Sequence, residues 1–413
     1  MDSALVIVAL CLILLLSYLF DVSSKLTKIP SVILLITLGF IISWVSKKFD
    51  VPTVDLSSIL PILGTFGLIL IVLDESFELK LSKDRIPIIK KSLIVAVFPM
   101  LILCALLALA FYFFREATWH VAVVNAIPLA IISSAIAIPS VHHLSRNLKE
   151  FVIYESSLSD IIGVVLFNFF ALNAVFDAGT MIVFVVQILL MLLISFVASV
   201  LLSGLLYKID HHIKFVPIIV LVMLIYEISK IYHLPALIFI LIFGIFLGNL
   251  DLIRNPKINK LVHPEVLDQE VVNFRQVVTE GTFLIRTLFF VVFGYLIHLP
   301  DLLNLQTLLW SLIVVTGVFT VRAVQLKAIG LTMFPLLFVA PRGLITILLF
   351  LSIPVSLEMP LVNKSMIIQV IIITVLIMMI GMLFHKEEEV VEEEKPIDEI
   401  LPAEPILVIE DSL

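Results

Sequence analysis

The sequence predicts an all-α polytopic membrane protein, and three observations carry that prediction. Of its 413 residues, 61% are hydrophobic and only 14% charged, against about 25% charged in soluble domains. Mean hydropathy is +1.21. Apolar runs long enough to cross a hydrocarbon core, which takes about 20 helical residues, recur from one end of the chain to the other. Cys11 and Cys104 both lie inside such runs, which argues against a disulfide framework and against a thiolate metal site. The formal net charge of -7 owes much to an acidic C-terminal segment and points to no partner.

Taken in order, thirteen apolar segments read as spans: 4–20, 31–46, 57–74, 91–114, 119–143, 153–176, 179–206, 214–230, 234–249, 276–298, 303–326, 329–354 and 361–384. The first lacks a basic leader and a small-residue cleavage site, so it reads as a retained span. The pair at 214–230 and 234–249 is short, divided only by His233-Leu234-Pro235. Lys and Arg in the connecting loops set the orientation, because cytoplasmic loops carry their excess. Lys25, Lys28, Lys80, Lys83, Arg85, Lys90, Lys91, Arg146, Lys149, Lys208, Lys214, Arg254, Lys257, Lys260, Arg275, Lys327 and Lys386 fall on one side. Lys47, Lys48, Arg115, Lys230 and Lys364 fall on the other. The N-terminus is therefore expected outside and the C-terminus in the cytoplasm, in a plasma or inner membrane.

Within the spans, the stretch Glu155-Ser156-Ser157-Leu158-Ser159-Asp160 stands out. An acidic residue at that depth is costly to bury and is by default a functional residue. On a helix, Ser156 and Asp160 share one face, while Glu155 and Ser159 share another about 140° away. A carboxylate with a hydroxyl one turn below it suits a small cation or a proton. An odd number of spans with inverted halves is a transporter pattern, in which the site lies at interrupted helices in corresponding positions. Span 5 (119–143) carries Ser133-Ser134 and Pro139, and span 12 (329–354) carries Pro341-Arg342-Gly343. Both prolines are expected to break their helices and free backbone groups at mid-membrane depth.

Other charges are read in turn. Asp74, Glu75 and Glu78 end the third span and are expected in solvent, Asp74 alone being near enough to line a cation funnel. Arg322 either snorkels, five residues before Lys327, or needs a buried partner. Arg342 is placed to neutralise a helix C-terminus or to close a cavity. Glu280 and Arg286 have no evident partners, and Glu227 with Lys230 reads as a structural pair one turn apart. His142 and His143 offer too few ligands for a metal, and sit too far in depth from Ser156 or Ser157 for a hydrolase.

These residues resemble the motifs of sodium/proton antiporters of the cation/proton antiporter superfamily, the electroneutral branch in particular. Glu155 to Asp160 resembles that family's Glu-Ser-x-x-Asn-Asp motif, and Ser133-Ser134-Ala135-Ile136-Ala137 its Thr-Asp-Pro-Val-Ala stretch on the first broken helix. Arg322 is similar to its eleventh-span arginine, Pro341-Arg342-Gly343-Leu344 to its Gly-x-Arg-Gly stretch, and Phe289-Phe290 to Gly294 to its Phe-Phe-x-x-x-Gly pattern. Leu73-Asp74 to Leu79 is similar to the acidic end of its third span, so that the likeness covers residues 5 to 384. Two departures stand out: Ser133-Ser134 replaces the family's Thr-Asp, and Ser159 its asparagine.

The resemblance implies a fold of inverted repeats with two crossed discontinuous helices, and exchange of a monovalent cation, Na+ first, for H+ by alternating access. Asp160 would hold the proton or the cation, with Ser156, Ser134, Ser133 and Ser159 as candidate oxygen ligands, and Glu155 would pair with Arg322. Arg342, Asp74, Pro139 and Pro341 are the cavity or gating candidates. With a single cycling carboxylate, exchange would be electroneutral, one for one. K+/H+ exchange and a transport-dead ion or pH sensor keeping the fold remain alternatives. The antiporter domain is expected over 1–385, its core over 91–176 and 303–384 and the remaining spans serving as a dimerising scaffold. A homodimer in the lipid bilayer is expected, with no cofactor and no nucleic-acid partner. The acidic tail, 386–413, is expected either as a solvated end or docked on the basic cytoplasmic loops as an autoinhibitory segment.

Overall fold

A computed structural model of the chain describes residues 3–27, 29–49, 56, 58–82, 85–115, 117–141, 144–173, 177–209, 213–250 and 264–384. Among these the regular structure is helical, with no strand. In chain order the helices are α1 (Ser3–Thr27), α2 (Ser31–Lys48), α3 (Ile59–Glu78), α4 (Ile86–Arg115), α5 (Trp119–Ala130), α6 (Ser134–Ser140) and α7 (Arg146–Leu172). There follow α8 (Ala178–Lys208), α9 (Phe215–Ile231), α10 (Leu237–Gly248), α11 (Pro264–Tyr295), α12 (Leu305–Ile329), α13 (Leu344–Leu351) and α14 (Lys364–Leu383), with a single turn at Leu299–Leu302 between α11 and α12.

Ten segments are long and apolar enough to span a membrane, α5 and α6 together making one of them. The thirteen expected spans are thus met in full at ten places among the described residues. Segment 214–230 forms the 17-residue α9, and 234–249 the 12-residue, all-apolar α10, which packs on α3 and α8. Segment 329–354 is not one helix. Gly330 takes a left-handed φ of 70° that caps α12, and the chain then runs irregularly to Gly343 before α13 begins. Boundaries also move by four residues or more, at α3 and α11 among others. α3 continues through Glu78, and α11 starts at Pro264 rather than near 276. The polar first third of α11 is held by ion pairs, Glu270 with Lys214 at 2.6 Å and Arg275 with Glu78 at 2.9 Å.

The loop charges gather at two opposite ends of the bundle. At one end Arg85 pairs with Glu150 at 2.5 Å, and Lys80 donates to the Gly248 carbonyl at 2.5 Å. At the other, Lys47 meets His298 Nδ1 at 2.8 Å and Lys364 donates to the Leu296 carbonyl at 2.5 Å. Burial, then the ammonium groups of Lys47 and Lys364, hold the His298 imidazole below its ordinary range, so it is the acceptor in the first of these.

The helices sort into two packing groups. α2 and α3 lie on α11, and α10 lies on α3 and α8; α4 packs on α5 and α7, α6 on α7, and α12 on α4 and α14. The groups meet where α3 touches α7 and where α13 touches α3, α5 and α7. In lipid, helix pairs gain little from hydrophobicity and rely on close backbone approach at small residues. A Cβ on Gly39 would lie 2.8 Å from Tyr295 N and closer still to Val291 O, and one on Gly294 would strike Ile36 O. On the α3–α10 seam, a Cβ on Gly248 would lie 2.9 Å from Phe77 O.

Gly39→Leu and Gly294→Leu are each expected to destabilise the protein by about 1–3 kcal/mol, the usual cost of overpacking. Gly204 has open space around it, so Gly204→Ala should be neutral or slightly stabilising. Thermal unfolding in detergent, followed by loss of the monodisperse peak, compares the three.

Candidate functional site

The site is built on a helix that stops. α5 ends at Ala130 and α6 begins at Ser134, with Ile131 and Ser133 both extended between them. Backbone groups freed at such depth need partners, and distant parts of the chain supply them. Ile132 N donates to Ser159 Oγ at 3.1 Å, Ser133 N to the Pro341 carbonyl at 2.9 Å, and Ser134 N to Asp160 Oδ2 at 3.0 Å. The carbonyls left at the end of α5 are taken by one guanidinium: Arg342 Nε donates to Leu129 O at 3.0 Å and Nη2 to Ala130 O at 3.2 Å, while Nη1 turns back to Ala340 O at 2.7 Å.

The proline expectation is therefore half corrected. Pro341 sits in the irregular stretch and its carbonyl joins the two interruptions, but Pro139 lies inside α6 and breaks nothing. The break forms where α7 and Arg342 offer better partners than the helix does. Gly343 lets the two stretches touch, since a Cβ there would be 2.9 Å from Ser133 Oγ.

Two carboxylates face this break. Asp160, 1% exposed, accepts at Oδ2 from both the amide and the hydroxyl of Ser134. Glu75 is buried too and accepts from Ser157 Oγ at 3.0 Å. Ser157 and Asp160 lie one turn apart on α7, so the two acids meet the same stretch of that helix. Asp160 Oδ1 and Ser133 Oγ are buried with no hydrogen-bond partner, and unpaired buried oxygens are rare. An oxygen cluster with two acids, hydroxyls and spare lone pairs is suited to a proton or a small hard cation.

Glu75 is the residue that sequence reasoning missed, because the third span was expected to end in solvent. The sequence carried no signal that singled it out, because Leu70 and Ile71 precede Asp74 as Ile71 and Val72 precede Glu75. With α3 continuing to Glu78, Asp74 and Glu78 lie one turn apart on an accessible strip, whereas Glu75 shares its face with buried Leu68, Ile71 and Val72. Asp74 is half-buried at the rim and accepts from Thr279 Oγ1 at 2.6 Å.

The remaining candidates are placed as follows. Arg322 makes a two-pronged pair with Glu155, at 2.5 and 3.0 Å, and also donates to Leu336 O at 2.6 Å; it is 2% exposed and does not snorkel. Ser156 spends its hydroxyl on Val152 O at 2.8 Å within its own helix and makes no hydrogen bond to Asp160. Ser159 holds the break through Ile132. Arg286 finds Asp21 on α1 at 3.7 Å, and exposed Glu280 accepts from Gln276 at 3.5 Å. His142, His143 and the tail 386–413, with its expected docking, lie outside the described residues.

Removing one partner of a buried ion pair strands the other charge, at about 3–5 kcal/mol. Glu155→Ala and Arg322→Ala should each cost that much, and the double variant less than their sum. Unfolding in detergent tests the cycle, and strict additivity would contradict the contact.

A family model described as sodium/hydrogen exchanger, transmembrane, matches residues 11–385. Among solved structures, the chain is similar to the sodium proton antiporter MjNhaP1 from Methanocaldococcus jannaschii at pH 8, at 20% identity, over 93% of this chain and 96% of that one, with a TM-score of 0.66. It is likewise similar to an electron-microscopy map of MjNhaP1, at 19% identity, over 92% and 95% of the two chains, with a TM-score of 0.68. No curated protein sequence matches. At these identities the structural likeness speaks for the fold, and the family match extends over the broken helices, both carboxylates and the buried ion pair. The chain belongs to the sodium/hydrogen exchanger family.

Proposed function

We propose that this chain exchanges Na+ for H+ by alternating access at the Asp160–Ser134–Glu75 cluster. Membership of an exchanger family supports cation/proton exchange; the ion, the stoichiometry and the residues are our reading. The observation that carries it is a buried carboxylate with one oxygen held by Ser134 and the other unpartnered, at a helix break. The similar structures are sodium proton antiporters, which favours Na+ over K+.

In this reading Asp160 and Glu75, brought to one stretch of α7 by Ser157 and Ser134, share one proton, because two neighbouring buried carboxylates are costly to ionise together. One proton shared by the pair leaves when a cation enters, and the site keeps the same net charge in both loads. Exchange is then one for one and electroneutral, by a route that does not depend on a lone carboxylate. The sensor alternative rested on the acid missing at Ser134. Glu75, held by Ser157 one turn before Asp160, supplies a second buried acid and weighs against it.

The core over 91–176 and 303–384 moves against the remaining helices, a division supported by the two packing groups. The end bearing Lys80, Arg85 and Arg275 is cytoplasmic, following the Lys and Arg bias, in a plasma or inner membrane. A homodimer would cover part of the apolar surface that α1 and α8 leave exposed.

Asp160→Asn in proteoliposomes is expected to abolish cation-driven dequenching of a pH dye, and Glu75→Gln to raise the apparent KM for Na+ by about tenfold or more, the scale of one charge-assisted contact. Wild-type exchange in Asp160→Asn would remove the site from consideration. A second measurement concerns charge: a potential set with valinomycin should leave the wild-type rate unchanged, although it is worth roughly 2.3 kcal/mol per charge per 100 mV. A rate that follows the potential would show that both acids release protons for each cation.

A further inference from the structure

A cavity of about 320 Å³ opens between the two packing groups, at the end of the bundle opposite Asp74 and Glu78. Its floor includes Val164, Leu68 and Leu348. Val164 follows Asp160 by one turn on α7, and Leu68 precedes Glu75 by two turns on α3. The floor therefore lies about 6 Å of helix rise from Asp160, along the same helix faces.

The wall of this cavity has one sign of charge. Lys230 lines it, along with His233 and the neutral polar groups of Tyr226 and Asn168, and no carboxylate is among its lining residues. Glu227, expected to pair with Lys230, does not line the cavity, and among the described residues no ion pair joins the two. α9 ends with His233 at a left-handed φ of 56°, closed by Leu234 N to Ser229 O at 2.9 Å. Glycine is the usual residue at that position, and here a histidine occupies it and adds its ring to the wall beside Lys230. At the opposite end Asp74 is half-buried and accepts from Thr279, while Glu78, one turn on, is paired with Arg275 at 2.9 Å.

We propose that this cavity is an approach to the carboxylate pair, and that Lys230 makes it a poor mouth for cations, so that uptake through it is weaker than it would be without that charge. The proposal rests on the antiporter reading. A fixed positive charge lowers the local concentration of cations within about a Debye length, roughly 8 Å at physiological salt. It leaves the turnover of the loaded site untouched. The consequence is a directional bias: cation moves out through the basic mouth more readily than it is taken up there, with no change in stoichiometry.

The test uses the full-length protein in right-side-out and in inverted membrane vesicles, with Na+ as the probe. Lys230→Ala should lower the apparent KM for Na+ about threefold to tenfold in one vesicle orientation only, Lys230→Glu should lower it further, and Lys230→Arg should leave it unchanged. Vmax and the KM in the other orientation should stay put, and the shift should shrink as N-methylglucamine chloride is added. If Ala and Arg act alike, if both orientations shift equally, or if salt has no influence, the charge of the mouth is irrelevant and the proposal falls. A wild type that fails to exchange in either orientation would overturn the antiporter reading itself, whereas normal exchange with an unmoved KM in Lys230→Ala overturns only the role of this cavity.

Discussion

The structure depends on one constraint: a helix interrupted inside the membrane must have every freed backbone group paired by protein. Between Ala130 and Ser134 that pairing is done by Ser159, Asp160, Pro341 and Arg342. Arg342 is buried and has carbonyl oxygens as the acceptors of its guanidinium, so its charge is balanced by the negative end of α5 and by carboxylates further off. The break, the second interruption at 331–343 and the polar face of α7 are one object. None of them is stable without the others.

This gives Asp160 two duties. Through Oδ2 it replaces a helix bond for Ser134, and through Oδ1 it has an oxygen to spare. On the proposed exchange, a proton or cation arriving at Asp160 would act directly on the bond that shapes the break, and through Ser133 and the Pro341 carbonyl on the second interruption. Binding and helix geometry are coupled by a single side chain. Glu75 lies on α3, in the other packing group, so the acid pair spans the seam between the groups. On the proposed exchange, a charge change there would alter how the two are held together and so link loading to movement.

The rest of the bundle keeps that seam narrow and its neighbours rigid. Gly39 and Gly294 fix α2 against α11, and Gly248 fixes α10 against α3, so α3 presents Glu75 from a scaffold with little freedom to shift. On the other side the Glu155–Arg322 pair ties α7 to α12 and, through Leu336 O, to the irregular stretch. Two ordered halves meet at a polar, incompletely satisfied contact. The apolar cavity floor at Val164, Leu68 and Leu348 closes one side of it.

The sequence by itself determined the class, most of the spans, the two ends of the bundle and the polar face of α7, because hydropathy and helical periodicity are local properties of the chain. It also pointed to Asp160, Glu155, Arg322 and Arg342, since a charge inside an apolar run has to be satisfied somewhere. Only the tertiary structure decided where the helix breaks, and it chose Ile131–Ser133 over Pro139. The partners that compensate the lost helix bonds come from α7 and from Arg342, far along the chain, and no local rule sees them. The same holds for Glu75. Three acids in five residues read as a wet helix end, until α7 and its Ser157 close over one of them and leave Asp74 and Glu78 at the rim.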